Sequence, residues 1–508
     1  MKRFFKSSIV LLVLGIVSTA CMKNPPSVRP WLLTTPSILP ATLGSEATLP
    51  ALIPTRRPPE SLYLTPTPDA PHTVPTLRAN IIHYTVQAGD SLASIALNYN
   101  LDTTTLANAN NLSSTDWLQV GQLLVLPAPQ PTIDPSSFKI IPDSELVYGP
   151  VSYTLDVATF VQAQGGYLSH YTEVINDATL TGAQIVNTLA KEYSVNPRLL
   201  LALLEYQSGW ISKAHPGQSG INYPFGLVED NHKGLYRQLS WAANELNRGF
   251  YLWGVNALSF TQLSDGNLVT FPATLNAGTV SVQRFFALAD NASTWSAAVS
   301  ENGLYATFTS LFGLPFDLAV EPLLPANLSQ PYLTLPFAAN DVWSFTGGPH
   351  SAWGDGAAWA ALDFAPPGDA FGCYSTDIWE TAVAAGVIAR SENGEVVLDL
   401  DGDGLEQTGW TVLYMHVAAK DRIALGVKVQ AGDRIGHPSC EGGVSNGTHL
   451  HLARRYNGVW IAADGNLPFI LDNWISHGTG VEYDGTMTRG GQIVTAWDGR
   501  IADNQIQR

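Results

Sequence analysis

The chain has 508 residues, too many for one ordinary domain, so roughly two to four are expected. Its formal net charge of −17 excludes nucleic acid as a partner, because binding phosphates requires a basic surface. Three cysteines are too few for a disulfide-scaffold protein.

Residues 1–21 read as a targeting segment. Lys2, Arg3 and Lys6 make a positive start, and Ile9 to Val17 is an apolar run too short to span a membrane comfortably. Ser18-Thr19-Ala20-Cys21 follows and resembles the lipobox of bacterial lipoproteins, with Ser18 where leucine is usual. The resemblance implies a lipidated Cys21 and a membrane anchor, with an ordinary cleaved signal or an uncleaved anchor as the alternatives; in every version the bulk of the chain is expected outside the cytoplasm. Residues 22–82 are dense in Pro, Thr and Ser, with Pro-Pro at 25–26 and 58–59. Proline fixes an extended backbone and withholds a donor, so this stretch is expected to be a disordered, semi-stiff tether. At roughly 3.1 Å per residue it would reach on the order of 190 Å.

From His83 to Pro127 the hydrophobic pattern gives strand, helix, helix, strand. Ser91, Leu92, Ile95, Ala96 and Tyr99 recur at helical spacing, with Asp90 as the expected N-cap. The opening Tyr84-Thr85-Val86-Gln87-Ala88-Gly89-Asp90, the Asn110-Asn111 pair and the closing Leu123-Leu124-Val125-Leu126-Pro127 resemble a LysM domain. That resemblance implies binding to N-acetylglucosamine-containing glycans such as peptidoglycan.

A proline-containing linker (128–145) leads to a largely helical region, 146–325. Ala183 to Tyr193 is amphipathic, and Asn196-Pro197 starts a second helix. The stretch Asn196 to Gly209, Pro224-Phe225-Gly226-Leu227 and Leu275-Asn276-Ala277-Gly278 is similar to the lysozyme fold of lytic transglycosylases. In that family the second helix ends in Glu-Ser-Gly, and its glutamate is the general acid. Here the triplet is Gln207-Ser208-Gly209, and an amide cannot donate a catalytic proton. Glu205, two positions back, faces elsewhere. The expectation is a domain that binds glycan without cutting it. Trp210, Tyr223, Trp241, Tyr251 and Trp253 suit either sugar stacking or an ordinary core.

Beyond Pro331 the texture changes to short β segments with Gly-rich turns. Gly447-Thr448-His449-Leu450-His451-Leu452 alternates as a strand does, so His449 and His451 project from one face. Gly348-Pro349-His350, Leu362-Asp363-Phe364-Ala365-Pro366-Pro367 and Val412-Leu413-Tyr414-Met415-His416 precede it. In that order these motifs resemble the lysostaphin-type zinc endopeptidases, which cut peptide cross-bridges of bacterial peptidoglycan. The resemblance implies Zn²⁺ held by His350, Asp363 and His451. His449 would then take a proton from water, and His416 would stabilise the oxyanion or donate a proton. The family usually places its first His and Asp four apart, whereas here twelve residues intervene. Ser351 to Ala361 therefore reads as an inserted loop, and Asp355 within it is the competing carboxylate. His437 is expected to serve a turn.

Cys373 and Cys440 would pair in an oxidising envelope. Asp399-Leu400-Asp401-Gly402-Asp403-Gly404 opens like an EF-hand, but Trp410 stands at the twelfth position, so an Asp-Gly hairpin turn is expected instead of calcium. Residues 468–508 are β-like, with no role legible.

The fold class expected is multidomain: a small βααβ LysM module, an α-helical lysozyme-like middle domain, and an all-β antiparallel C-terminal zinc peptidase domain (331–467). The function expected is a cell-wall hydrolase, with a non-enzymatic peptidoglycan-binding scaffold or hydrolase activator as the alternative.

Overall fold

The computed structural model describes residues 72–87, 89–99, 101, 103–113 and 118–508. The expected leader, Cys21 and most of the tether lie outside the described residues. Among those described, no helix is long and apolar enough to cross a membrane.

The first module runs β1 (Ile82–Thr85), α1 (Leu92–Asn98), α2 (Thr103–Ala109) and β2 (Leu123–Leu126). β1 and β2 pair antiparallel, His83 opposite Val125. Leu92, Ile95, Ala96, Leu106, Leu124 and Leu126 make its core. One local expectation fails. Ser91, not Asp90, caps α1: its hydroxyl accepts from the Ser94 amide at 3.0 Å. Asp90 turns back instead and accepts from Tyr84 Oη and the Gln87 amide, each at 2.7 Å, which satisfies the turn before the helix. Asn110 ties α2 to β2 through both its amide nitrogen and its oxygen, at 2.8 Å and 2.6 Å from the Val125 backbone.

The middle region contains α3 (Val157–Gln164), a hairpin of β3 (Thr172–Ile175) and β4 (Ala178–Thr181), then α4 (Gly182–Tyr193), α5 (Pro197–Ser208), α6 (Gln218–Asn222) and α7 (Leu235–Gly254). A second hairpin, β5 (Phe260–Gln262) with β6 (Leu268–Thr270), precedes α8 (Ala277–Ala287), α9 (Ala292–Ala298) and α10 (Leu304–Phe312). Both helices anticipated from the sequence form. Thr181 and Gln184 make a capping box for α4, and the Asn196 side chain caps α5 with Pro197 in its first turn. Trp210 and Trp253 are wholly buried and donate to the Gly220 and Leu275 carbonyls, so these two are core rather than sugar platforms.

The C-terminal region is β apart from one 3-10 turn at Ala502–Asn504. Its main antiparallel sheet has the order β13 (Lys428–Val429), β10 (Gly386–Glu392), β11 (Glu395–Asp399), β12 (Trp410–Met415), β15 (Leu450–Tyr456), β8 (Ala361–Ala365), β7 (Val342–His350) and β21 (Gln505–Gln507), with β16 (Val459–Trp460) turning back on β15. β9 (Glu380–Thr381) pairs with β14 (Arg434–Gly436), and β17 (Ile470–Leu471), β18 (Trp474–Gly478), β19 (Gly485–Arg489) and β20 (Gln492–Thr495) form a four-stranded sheet. Alternation splits each strand between two cores. Leu362, Phe364, Val412, Tyr414, Leu450 and Leu452 face the smaller sheets, whereas Ala361, Leu413, Met415 and Ala453 share the opposite face with Trp460. The Asp399–Asp403 segment is the β11–β12 hairpin connection, where Asp399 accepts from the Asp401 and Gly404 amides.

The middle and C-terminal regions meet through the β15–β16 hairpin. Val459 and Ile461 enter the middle region's core, Ser194 Oγ donates to the Gly458 carbonyl at 2.7 Å, and Tyr251 Oη accepts from the Trp460 amide at 2.9 Å.

Candidate metal and proton-transfer site

The sheet face that carries Ala361, Met415 and Ala453 also carries the site. Asp363 on β8 lies directly opposite His451 on β15, and β7 delivers His350 at its last residue. Strand pairing thus brings together residues 101 apart in sequence. His350 Nε2 is 3.3 Å and His451 Nδ1 3.2 Å from Asp363 Oδ1, and the two nitrogens are 3.0 Å from each other. All three residues are buried, at 1%, 8% and 7% exposure for His350, Asp363 and His451. Asp355 takes no part: it is exposed and pairs with Arg248 at 2.8 Å.

The outward nitrogens set the ring tautomers. His350 Nδ1 lies 2.8 Å from the Gly348 carbonyl and His451 Nε2 3.1 Å from the Ala352 carbonyl. A carbonyl only accepts, so those nitrogens carry the protons, and in the neutral rings Nε2 of His350 and Nδ1 of His451 present lone pairs inward. Asp363 Oδ1 is buried and has no hydrogen-bond partner. Two imidazole lone pairs and an orphaned carboxylate oxygen facing one another are unfavourable alone and suit a borderline-soft divalent cation such as zinc. Without a cation the charges redistribute. Burial opposes protonation of His350, but the Asp363 carboxylate outweighs it and raises the ring's pKa. Burial likewise works against the Asp363 anion, yet His350 and His449 hold its carboxyl well below the usual range.

Two further histidines flank this set. His449 Nε2 is 3.6 Å from Asp363 Oδ1, and the His416 ring centroid is 4.6 Å from that of His449. Each gives its Nδ1 proton to a carbonyl, His416 to Glu441 at 3.1 Å and His449 to Gly447 at 2.8 Å. In the neutral form of either ring the lone pair is then on Nε2. Burial, then the neighbouring His449 and His451, pushes the His416 pKa down to about 3, so this ring is neutral. His416 also sits at φ +68°, a conformation that a bulky residue adopts only when held. The Ser439 amide and hydroxyl both hold it, donating to its carbonyl at 2.7 Å.

The expected disulfide is formed. Cys373–Cys440 joins the loop after β8 to the segment carrying Glu441, with a separation of 67 residues. His437 leaves β14 buried, donating to the Ile378 carbonyl at 2.8 Å and packed on Trp379.

Residues 468–508, for which no role was legible, supply a further partner. The turn between β18 and β19 lays Tyr483 flat on His350, with ring centroids 4.2 Å apart and 19° between planes. Its backbone clasps β7: the Gly348 amide donates to the Tyr483 carbonyl at 2.7 Å. Burial, then Asp363, pushes the Tyr483 hydroxyl pKa up to about 12. Glu482 beside it accepts from the Ser351 amide at 3.1 Å. The only local signal is a Tyr-Asp-Gly turn, which says nothing about a site.

Comparison with known proteins finds two family matches within the chain. Residues 84–127 match the LysM domain family, and residues 139–326 match the family described as LasA, N-terminal domain. Protease LasA of Pseudomonas aeruginosa is 27% identical over 296 residues, covering 54% of this chain. The chain spans 66% of that relative's length. Among solved structures, the M23 metalloprotease pseudoalterin is 23% identical with a TM-score of 0.29, covering 36% of this chain and 100% of its own. The catalytic domain of lysostaphin from Staphylococcus simulans is 22% identical with a TM-score of 0.18, covering 25% and 95%. The chain thus carries a LysM match and a LasA N-terminal-domain match in that order, and over 54% of its length it is similar to Protease LasA.

Proposed function

We propose that this chain is a zinc-dependent endopeptidase that hydrolyses peptide bonds in bacterial peptidoglycan, brought to its substrate by the LysM domain. The observation that carries the reading is the convergence of His350 Nε2, His451 Nδ1 and Asp363 Oδ1 within 3.3 Å of one another, beside two histidines whose Nδ1 atoms are committed to backbone carbonyls.

His350, Asp363 and His451 would hold the metal, which when bound supplies Lewis-acid polarisation of the scissile carbonyl and makes water more acidic. His449 accepts a proton from the attacking water at Nε2, and the Gly447 carbonyl keeps its ring in the required tautomer. His416, neutral and with Nδ1 committed to Glu441, also meets the substrate as an acceptor. It can donate toward the oxyanion or the leaving nitrogen only after it has taken up a proton. Tyr483, stacked on His350, keeps that ring in place.

Residues 146–325 are read as a lysozyme-like glycan-holding domain that does not cut. In support, Glu205 is committed to structure: its carboxylate accepts from the Ile211 and Ser212 amides at 2.9 and 3.0 Å, closing the end of α5. Cys21 would anchor the chain on the outer side of a membrane. The test of the metal reading is elemental analysis of the purified full chain after zinc loading and desalting. About one zinc per chain is expected from one three-residue set. No retained zinc would remove the enzyme reading.

A further inference from the structure

The insertion between His350 and Asp363 touches two places at once. On its outer side it lies against the middle region. Asn244 on α7 accepts through Oδ1 from the amides of Asp355 and Gly356, at 3.1 and 2.9 Å, and donates from Nδ2 to Asp355 Oδ1 at 2.6 Å. Arg248, one turn further along α7, pairs with the same carboxylate at 2.8 Å. The backbones approach so closely that a Cβ on Gly356 would stand 2.1 Å from the Asn244 carbonyl oxygen. At Gly354, where φ is +64°, a Cβ would meet Asn244 Oδ1 at 2.6 Å. Trp353 meets Tyr193 of α4 edge-on, with centroids 6.3 Å apart. On its inner side the insertion closes on itself, the Ala352 amide donating to the Ala358 carbonyl at 3.1 Å. The Ala352 carbonyl then faces the site and accepts from His451 Nε2 at 3.1 Å.

We infer that the middle region positions the metal site. Asn244 and Arg248 hold the insertion, and the insertion's Ala352 carbonyl fixes the tautomer and orientation of His451. This rests on the metal reading above. A metal-binding imidazole needs an acceptor on its other nitrogen to hold the ring and strengthen the lone pair, and losing such a partner weakens the metal. The two histidines differ in how that acceptor is held. Gly348, which serves His350, lies within β7 and is clasped by the C-terminal turn. Ala352, which serves His451, lies in a loop that packs on the C-terminal region's core and is also clasped by α7, more than 100 residues upstream (the Asn244–Asp355 separation is 111). Asn244 and Arg248 are positioning residues, and they act through this one carbonyl.

The experiment uses the full chain. Asn244→Ala/Arg248→Ala breaks the hold from the α7 side, and Asp355→Ala removes both carboxylate contacts from the loop side at an exposed residue, leaving the two amide donors, which guards against a misfolded double variant. Lys191→Ala is the comparator: it removes an ion pair with Glu392, at 3.4 Å, elsewhere on the same interface. The readouts are the zinc dissociation constant by competition with a chromogenic chelator and the visible absorption of the Co²⁺-loaded chain. Asp355→Ala and the double variant are expected to hold zinc about 10–100-fold more weakly and to shift the cobalt bands, while Lys191→Ala matches wild type. Wild-type affinity and spectrum in Asp355→Ala and the double variant would overturn the inference while leaving the metal reading standing. Equal weakening in Lys191→Ala would also overturn it, by assigning the effect to general loosening of the interface. A wild-type chain that binds no zinc would remove the metal reading and this inference with it.

Discussion

His451→Ala is expected to lose zinc and turnover together. Its Nδ1 lies within 3.2 Å of both Asp363 Oδ1 and His350 Nε2, so its removal leaves two protein donors where three converge. The loss should exceed the roughly 10–100-fold that removing an outer partner of a metal-binding imidazole costs. The variant should remain folded, because Leu450 and Leu452 on the other face keep β15 in its core. Elemental analysis and a turnover assay on the same preparation check this. A variant that keeps stoichiometric zinc at wild-type affinity would remove His451 from the metal set.

His449→Ala should behave differently although the residue is only two positions away. Its Nε2 is 3.6 Å from Asp363 Oδ1, and its ring is anchored by Gly447 rather than by the insertion. Loss of a positioned proton acceptor typically slows a reaction by about 10²–10⁴-fold without removing the metal. The expected result is wild-type zinc content with a fall in kcat of that order. The discriminating comparison is zinc per chain in the two variants side by side. If His449→Ala empties the site as completely as His451→Ala does, the division of labour between the two histidines is wrong.

Where the sequence is informative, the relevant interactions are local. α4 and α5 carry their caps within three residues of their first turns, and strand alternation alone places the imidazoles of His449 and His451 on one face. His350, Asp363 and His416 are legible only through the order of motifs, and the fold brings them beside that pair. The misplaced cap at Asp90 shows the limit even locally. Asp and Ser are both good caps, and Tyr84 and Gln87 decide between them by drawing the carboxylate away. What the sequence does not show depends on backbone groups and distant pairings. The Ala352 carbonyl has no side-chain signature, yet it orients His451. Tyr483 reaches His350 only because the turn after β18 folds back on β7, and β21 pairs Gln505 with Ser344 across most of the domain.

Zinc-dependent cleavage of wall peptides is tested most directly by mass spectrometry of the fragments released when the purified full chain is incubated with peptidoglycan, with and without a zinc chelator. New peptide termini from cleaved stem or cross-bridge bonds are expected, lost with chelator and restored by added zinc, with no sugar-cleaved products. Peptide termini that form undiminished in chelator, or fragments cut only between sugars, would contradict it.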